Sequence, residues 1–525
     1  MNSNLFQGRP VAVIGAGVMG VGIVQVALLA GHPVSLFDTR SGAADSAAGQ
    51  LAQTLARLAD KGKLTPEDVE AALRRLSIAA SLADLRGAAL VVEAIVENLG
   101  VKQQLYRELE ALVSDDCVLA SNTSSLSITA IARGLRAPGR VVGMHFFNPV
   151  PLMRLVEVVS GLATEPAVAD AICVLAQDWG KTAVHARSTP GFIVNRIARP
   201  FYAETLALLQ EQAAPPAALD ACLRGAGFRM GPCELMDLIG HDTNFAVTQS
   251  VYEANFFDKR YQPSLVQREM VDGGLLGRKS GRGFYHYPEG GAPARAEAAP
   301  DEPVPLPAKP LVLRGDGAVA DVLAARLTGA GLAFAREAGG EVALQVGDGL
   351  LLPTDGRCAV ERAATLGVAD VALFDWPVGP AAAAATTPVV ALAYSVAAQA
   401  APGFEAQAAS VLRALGWSPR RLSDAPGLVV ARTVAMLVNE ASDAVEQGVC
   451  DERGADAAMT LGVNYPAGPF AWLAEVGVRP VVALLDALDA AVRGERYRVS
   501  ARLRRASWAP APAAAPAAED SPAAR

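Results

Sequence analysis

The sequence predicts an α/β domain with a mainly parallel sheet, then an all-α domain, then a smaller α/β segment and a second all-α domain. Three observations support this order. A strand–turn–helix–strand unit spans 11–38. Buried strand-like runs then alternate with helical patterns to about residue 186, and helical spacing takes over from 192 to about 286. The segment at 189–196 is echoed at 425–432, which indicates that the helical domain occurs twice.

The first unit carries a glycine-rich turn, GAGVMG, between two short apolar runs. In such a turn Gly15 permits the sharp bend, Gly17 lets a pyrophosphate approach the backbone, and Gly20 lets the helix pack on the strand. The N–H groups and dipole at the start of the helix attract the phosphates. The residues expected to line the cofactor here are Gly15, Gly17, Val18, Met19 and Gly20.

Asp38 ends the second strand of this unit. A carboxylate there accepts hydrogen bonds from the adenosine ribose hydroxyls and repels a 2′-phosphate. We therefore expect NAD as the cofactor in preference to NADP, with the nearby Arg40 as the one feature that favours NADP.

Composition excludes several classes of protein. A length of 525 residues exceeds one hydrophobic core and predicts two to four domains. The net charge of −8, without a basic cluster, argues against nucleic acid as a partner. The N-terminus lacks a signal-peptide pattern, and the longest uncharged stretch, 376–404, is too interrupted to span a membrane. The six cysteines form no C-x-x-C, so neither a metal site nor a disulfide framework is expected, and we predict a cytoplasmic protein.

Polar residues follow three predicted strands, at 90–93, 118–120 and 141–145, at the edge where open α/β sheets bind ligands. The third strand ends in His145, one of five histidines, and none lies beyond residue 286. Any imidazole chemistry must therefore come from the first half of the chain.

Proline, glycine and linker composition divide the chain further. The expected parts are a dinucleotide-binding Rossmann domain at 1–187, a helical domain at 188–287, a linker at 288–310, a reduced α/β segment at 311–420, a second helical domain at 421–508 and a disordered tail at 509–525. Asn195 of the first helical copy is matched by Ala431 in the second, so the second copy has lost a side-chain amide and is expected to be structural.

Three motifs behind the glycine-rich turn resemble the 3-hydroxyacyl-CoA dehydrogenases. They are SNTSSL at 121–126, GMHFFNPVPLMRLVEVV at 143–159 and TPGFIVNR at 189–196. The resemblance runs almost continuously from residue 9 to 287. The second half is similar to the longer bacterial members, which carry a reduced Rossmann-like segment and a second helical domain. The region at 227–252 is similar to members acting on 3-hydroxybutyryl-CoA or 3-hydroxyadipyl-CoA in phenylacetate breakdown.

The resemblance implies four catalytic residues. Oxidation of a secondary alcohol requires a base, and His145 matches the family's base. Glu157 would hold this imidazole, while Ser124 and Asn195 would bind the reacting oxygen. Each has a structural alternative. His145 could be a core histidine, and Glu157 a strand-edge glutamate paired with an arginine such as Arg154. Ser124 could be a helix N-cap before Ile128, and Asn195 a polar residue on a helix face.

The resemblance also implies binding residues. Beyond the turn and Asp38, the expected cofactor contacts are Glu97, Lys102, Asn148 and Lys279. Thr54 and Lys61 match positions that touch CoA. The alternatives are a surface charge pair for Lys102 with Glu97, and a solvated helix face for Thr54 and Lys61.

Arg229 stands where short members of the family have proline, before Met-Gly-Pro. We predict that its guanidinium helps to bind a distal substrate carboxylate, as 3-hydroxyadipyl-CoA would present. The alternative is a salt bridge at a helix end or at an interface.

Together these features predict an NAD-dependent dehydrogenase of short-chain or dicarboxylic (S)-3-hydroxyacyl-CoA. Two alternatives are a dehydrogenase of a free hydroxy acid and a non-catalytic homologue that binds NADH. Because short members dimerise through the helical domain, the duplicated copy is expected to cover that face within one chain. This predicts a monomer or a different dimer surface, and leaves a homo-oligomer open.

Overall fold

The computed structural model describes residues 6–288, 291, 306, 309–382 and 389–509. Most of the predicted linker and all of the predicted tail except Ala509 lie outside these ranges. Among the described residues no helix is both long enough and apolar enough to cross a membrane.

The N-terminal part forms an eight-stranded sheet with the order β3-β2-β1-β4-β5-β6-β7-β8. The strands are β1 (Val11–Ile14), β2 (Val34–Phe37), β3 (Leu76–Ile78), β4 (Leu90–Glu93), β5 (Val118–Ser121), β6 (Val141–Phe146), β7 (Leu155–Ser160) and β8 (Thr182–Arg187). The helices are α1 (Val18–Leu29), α2 (Ala43–Asp60), α3 (Pro66–Arg74), α4 (Leu99–Leu112), α5 (Ile128–Ile131) and α6 (Pro166–Asp178). Order 3-2-1-4-5-6 is that of a Rossmann domain, which confirms the predicted fold class.

One strand pair departs from the parallel pattern. β7 runs antiparallel to β6, while the other neighbouring pairs of this sheet are parallel. A short connection suffices for an antiparallel pair, and only 147–154 separate the two strands. The consequence is that residues of β6 and β7 face each other directly.

From 188 to 288 the regular elements are helices. They are α7 (Val194–Ile197), α8 (Arg199–Gln210), α9 (Pro216–Gly225), α10 (Pro232–Ile239), α11 (His241–Ala254) and α12 (Leu265–Asp272). A residue with positive φ, Phe192, turns the chain from the sheet into α7. The predicted helical domain is confirmed.

The second α/β part forms a seven-stranded mixed sheet with the order β10-β9-β11-β12-β13-β14-β15. The strands are β9 (Leu311–Arg314), β10 (Phe334–Glu337), β11 (Ala343–Val346), β12 (Gly349–Pro353), β13 (Val371–Phe374), β14 (Val390–Val396) and β15 (Trp417–Arg421), and the helices are α13 (Ala318–Gly329), α14 (Ala359–Leu366) and α15 (Phe404–Ala414). In the turn after β9, Gly315 and Gly317 stand where the first two glycines of a dinucleotide turn would be, and Ala320 stands in the place of the third.

The second helical copy comprises α16 (Val430–Glu446), α17 (Glu452–Gly462), α18 (Pro469–Val476), α19 (Val478–Val492) and α20 (Ala501–Trp508). Asp220 in α9 accepts hydrogen bonds from the first amides of α10, and Asp456 in α17 does the same for α18. The predicted duplication is therefore present in three dimensions, down to its capping carboxylates.

The two helical copies exchange buried ion pairs across a local two-fold relation. Arg196 Nε lies 2.6 Å from Glu440 Oε1, and Arg432 Nε lies 2.7 Å from Glu204 Oε2. Under the repeat Arg196 is equivalent to Arg432, and Glu204 is equivalent to Glu440. Each helical copy therefore contributes one arginine and one glutamate to the contact. The contact is thus organised like the interface of a symmetric dimer.

Candidate active site

The glycine-rich turn after β1 has the geometry that phosphate binding requires. A Cβ on Gly20 would lie 1.8 Å from the carbonyl oxygen of Gly15, so only glycine lets α1 approach β1 this closely. A Cβ on Gly17 would meet no atom within 4 Å, which leaves open space above the backbone for a pyrophosphate. Val18 begins α1 and is exposed, and Met19 follows it in the first turn.

Asp38 closes this turn from the neighbouring strand. Its Oδ2 accepts a hydrogen bond of 2.8 Å from the backbone N–H of Ala16. The Arg40 side chain binds the same carboxylate through two nitrogens, and it holds the pKa of Asp38 at about 2. Arg40 is therefore engaged with Asp38 and is not free to bind a 2′-phosphate, which favours NAD.

Asp38→Gly is expected to lower NADH affinity at least tenfold and to raise NADPH affinity, because the ribose acceptor is lost and Arg40 is released. Fluorescence titration with both nucleotides measures the change. Asp45→Ala, an exposed carboxylate in α2, is the matched control. An unchanged NADH to NADPH ratio would show that Asp38 does not select the cofactor.

His145 and Glu157 form a buried pair across β6 and β7. The antiparallel register places the two residues directly opposite each other, and His145 Nδ1 lies 2.5 Å from Glu157 Oε2. Side chains opposite each other in an antiparallel pair have Cβ atoms about 5 Å apart, close enough for this contact. His145 Nε2 makes no hydrogen bond with the described residues, so this nitrogen is available to a substrate.

Glu157 also joins the sheet to the helical domain. Its Oε1 accepts the backbone N–H groups of Ile193 (3.1 Å) and Val194 (2.9 Å). The carboxylate is fully buried, and the alternative of a strand-edge pair with Arg154 is wrong. Both oxygens are occupied, so the position of His145 is coupled to the start of α7.

A cavity of about 480 Å³ lies between the loop after β5 and the helical domain. Ser124 and Asn195 both line it, and their binding of one oxygen atom stays a prediction. The alternative role for Ser124 is wrong, because Ser127 is the residue that caps α5. His145 is not among the residues that line this cavity; its ring packs against Phe147 and Phe192.

Glu97 and Lys102 occupy different surroundings. Glu97 lines the cavity and accepts hydrogen bonds from the Thr123 hydroxyl and the Ser124 and Ser125 amides. Burial opposes ionisation of Glu97, but these bonds and the charge of Lys102 leave its pKa lowered. Lys102 is fully buried, and its Nζ lies 2.5 Å from Glu93 and 3.3 Å from Glu97. The alternative of a charge pair on the helix surface is therefore wrong. Lys102 does not line the cavity, but its partner Glu97 does.

The remaining predicted cofactor and CoA residues are spread along the surface. Lys279 forms an ion pair of 2.6 Å with Asp242, which lines the cavity, while Asn148 is exposed after β6. Thr54 and Lys61 are exposed along α2 and at its end. Their roles stay predictions.

Arg229 lies outside the cavity. It is exposed in the loop between α9 and α10, whereas its neighbour Phe228 is buried against Phe201 and Trp472. Arg229 makes no ion pair with the described residues, so the salt-bridge alternative is not found. Its predicted carboxylate contact has no support from this position.

Sequence reasoning missed the face that α11 contributes to the cavity. Its residues recur at helical spacing and most are small: Asp242, Thr243, Ala246, Val247, Ser250, Val251 and Ala254. The signal was the spacing of small side chains along one face of a predicted helix. Small side chains here leave this wall of the cavity free of bulky groups.

Family models match most of the chain. The NAD-binding domain of 3-hydroxyacyl-CoA dehydrogenase matches 10–189, and the C-terminal domain of that family matches 191–287 and again 427–513. The reduced Rossmann-fold domain of 3-hydroxybutyryl-CoA dehydrogenase matches 351–426.

Individual relatives match the whole chain or its first half. The 3-hydroxyadipyl-CoA dehydrogenase of Escherichia coli (strain K12) is 42% identical over 501 residues, covering 94% of this chain and 97% of that protein. A probable 3-hydroxybutyryl-CoA dehydrogenase of Bacillus subtilis (strain 168) is 42% identical and covers 54% of this chain and 98% of its own length. A crystal structure of 3-hydroxybutyryl-CoA dehydrogenase from E. coli K12 superposes with a TM-score of 0.84 at 40% identity, covering 95% of this chain and 98% of that one.

Proposed function

Since this chain belongs to the 3-hydroxyacyl-CoA dehydrogenase family, we propose that it oxidises short-chain or dicarboxylic (S)-3-hydroxyacyl-CoA with NAD at the His145–Glu157 pair. The buried contact between these two side chains carries the proposal, and Glu157 also holds the start of α7, whose Asn195 lines the cavity together with Ser124. The glycine-rich turn and Asp38 are the residues that would hold the dinucleotide.

In this mechanism His145 Nε2 takes the proton of the substrate hydroxyl as the C3 hydride leaves. NAD held by the glycine-rich turn and Asp38 would supply the acceptor for that hydride. Glu157 fixes the imidazole tautomer with the proton on Nδ1, and its negative charge stabilises the imidazolium that forms. In the reverse direction the Ser124 hydroxyl and the Asn195 amide polarise the 3-keto oxygen.

The CoA thioester is proposed to lie along α2, where Thr54 and the ammonium of Lys61 would contact the CoA moiety. The acyl chain is proposed to enter the cavity beside α11, whose small residues set its width. Relatives named for a four-carbon and for a six-carbon dicarboxylic substrate both resemble this chain, so acyl identity is the point to test.

NADH oxidation with acetoacetyl-CoA and with 3-oxoadipyl-CoA, compared as kcat/KM, tests the proposal. We expect turnover of both and none of free acetoacetate. A preference above tenfold, about 1.4 kcal/mol of transition-state free energy, assigns the acyl class. Turnover of the free acid at equal efficiency, or NADH binding without turnover, would contradict the proposal.

A further inference from the structure

Arg199 is a buried cation without an anion. It is the first residue of α8 and is 5% exposed. Its Nε donates to the backbone carbonyl of Asn195 (2.9 Å), and its Nη1 donates to the Thr248 hydroxyl (3.2 Å). Among the described residues Nη2 has no hydrogen-bond partner and no carboxylate lies within ion-pair distance.

Other buried arginines of the helical domains are neutralised. Arg196 and Arg260 pair with Glu440, and Arg432 pairs with Glu204. An unpaired buried charge is costly. Burial accordingly lowers the pKa of Arg199, although its guanidinium lies over the Tyr202 ring, 4.9 Å from the ring centroid, and Tyr202 and Tyr465 partly oppose the shift.

The fold does not require this charge. Under the internal repeat Arg199 corresponds to Ala435 and Tyr202 corresponds to Val438, and both of these are fully buried in the second copy. The guanidinium is therefore particular to the copy that carries Asn195. A costly group that the fold can replace with alanine points to a ligand.

Arg199 lines a cavity of about 220 Å³. The cavity also carries the side chains of Gln210, Gln262 and Gln267, which are neutral, and of Arg496, which is paired with Glu204. One positive charge is left unbalanced, and a guanidinium fork suits a carboxylate in its plane.

We propose that Arg199 is the receptor of a carboxylate at the junction of α7, α8 and α11. The carboxylate has two chemical sources: the far end of a dicarboxylic acyl chain whose C3 lies at Asn195, or a free small dicarboxylate in the Arg199 cavity. The first source rests on the proposed function.

The spacing along the chain fits the first source. Arg199, the first residue of α8, follows Asn195 of α7 by four positions, over which a continuous helix would rise about 6 Å. In a six-carbon dicarboxylic substrate the far carboxyl carbon is three bonds beyond C3, about 4 Å. Asn195 lines the cavity beside α11 and Arg199 lines the smaller cavity, so the first source requires the acyl chain to pass from one cavity into the other. Because Arg199 Nε donates to the backbone carbonyl of Asn195, an anion from either source that binds Arg199 is linked to Asn195 through this hydrogen bond.

Arg199→Met and Arg199→Lys, assayed with 3-oxoadipyl-CoA and with 3-oxohexanoyl-CoA, test the first source. The two substrates share a chain length and differ in the carboxylate. We expect Arg199→Met to lower kcat/KM for 3-oxoadipyl-CoA at least tenfold more than for 3-oxohexanoyl-CoA, with partial recovery in Arg199→Lys. Arg229→Met is assayed in parallel, since the sequence singled out that arginine.

Calorimetry of the full chain with adipate tests the second source. Adipate binding in the wild type that disappears in Arg199→Met supports it, even if neither acyl-CoA is turned over and the proposed function fails. The proposal is overturned if only Arg229→Met loses kcat/KM selectively for 3-oxoadipyl-CoA. It is also overturned if Arg199→Met loses kcat/KM equally for both substrates and the wild type does not bind adipate. The proposal is also overturned if the wild-type enzyme turns over 3-oxoadipyl-CoA and 3-oxohexanoyl-CoA equally well and does not bind adipate. That result leaves the dehydrogenase function intact.

Discussion

Replacing His145 with glutamine is expected to lower kcat for 3-hydroxyacyl-CoA oxidation about a thousandfold, within the range that general bases contribute. Glutamine is close in size and can keep a hydrogen bond to Glu157, but it cannot take up the hydroxyl proton. Because no second histidine lies within hydrogen-bond distance of the His145–Glu157 pair in the described residues, no other imidazole replaces it. Initial rates of NADH formation measure the loss.

The control separates loss of the base from loss of structure. His32→Gln removes another buried histidine of the same domain, whose Nδ1 lies 3.0 Å from the Arg9 carbonyl oxygen. It should retain kcat, and both variants should bind NADH with wild-type affinity. A His145→Gln enzyme within tenfold of wild-type kcat would show that another group takes the proton.

Local patterns explain why much of the fold could be predicted. The glycine-rich turn, the apolar strands and the helical spacing after 192 are encoded within a few residues of each other, and the structure contains all three. The repeat was visible because equivalent segments kept their order and spacing. Its capping carboxylates, Asp220 and Asp456, stand at equivalent positions of the two copies.

Side-chain partners across the fold could not be predicted in the same way. The short connection 147–154 is a local sign that β7 runs antiparallel to β6, but nothing near Glu157 gives the register that sets it opposite His145, and the pairing followed only from a family resemblance. Lys102 has the spacing of a surface helix residue, yet it is buried by carboxylates from two other segments.

The two arginines show the same limit. Arg229 attracted attention because it departs from a family motif, while Arg199 lies in an ordinary helical pattern. Whether an arginine has an anion depends on residues far away in the chain. Only the folded structure shows that Arg199 lacks one.

Glu440→Ala is expected to lower the free energy of unfolding by about 3–5 kcal/mol, the cost of removing one partner from a buried ion pair. Glu440 is fully buried and binds Arg196, Arg260 and the Tyr261 hydroxyl, so its loss leaves two guanidinium groups without their shared carboxylate. Urea unfolding of the full chain, followed by far-UV circular dichroism, measures the change.

The internal two-fold relation supplies a matched control. Glu204 is equally buried and binds Arg432, Arg496 and the Tyr497 hydroxyl, so Glu204→Ala should cost a similar free energy. The two variants should differ in activity, because Arg196 adjoins Asn195 whereas Arg432 adjoins Ala431. We expect kcat to fall further in Glu440→Ala than in Glu204→Ala at equal loss of stability. Equal kcat in the two variants would show that the second helical copy contributes to stability and not to catalysis. A lower kcat in Glu440→Ala would mean that the copy without catalytic residues positions those of the other.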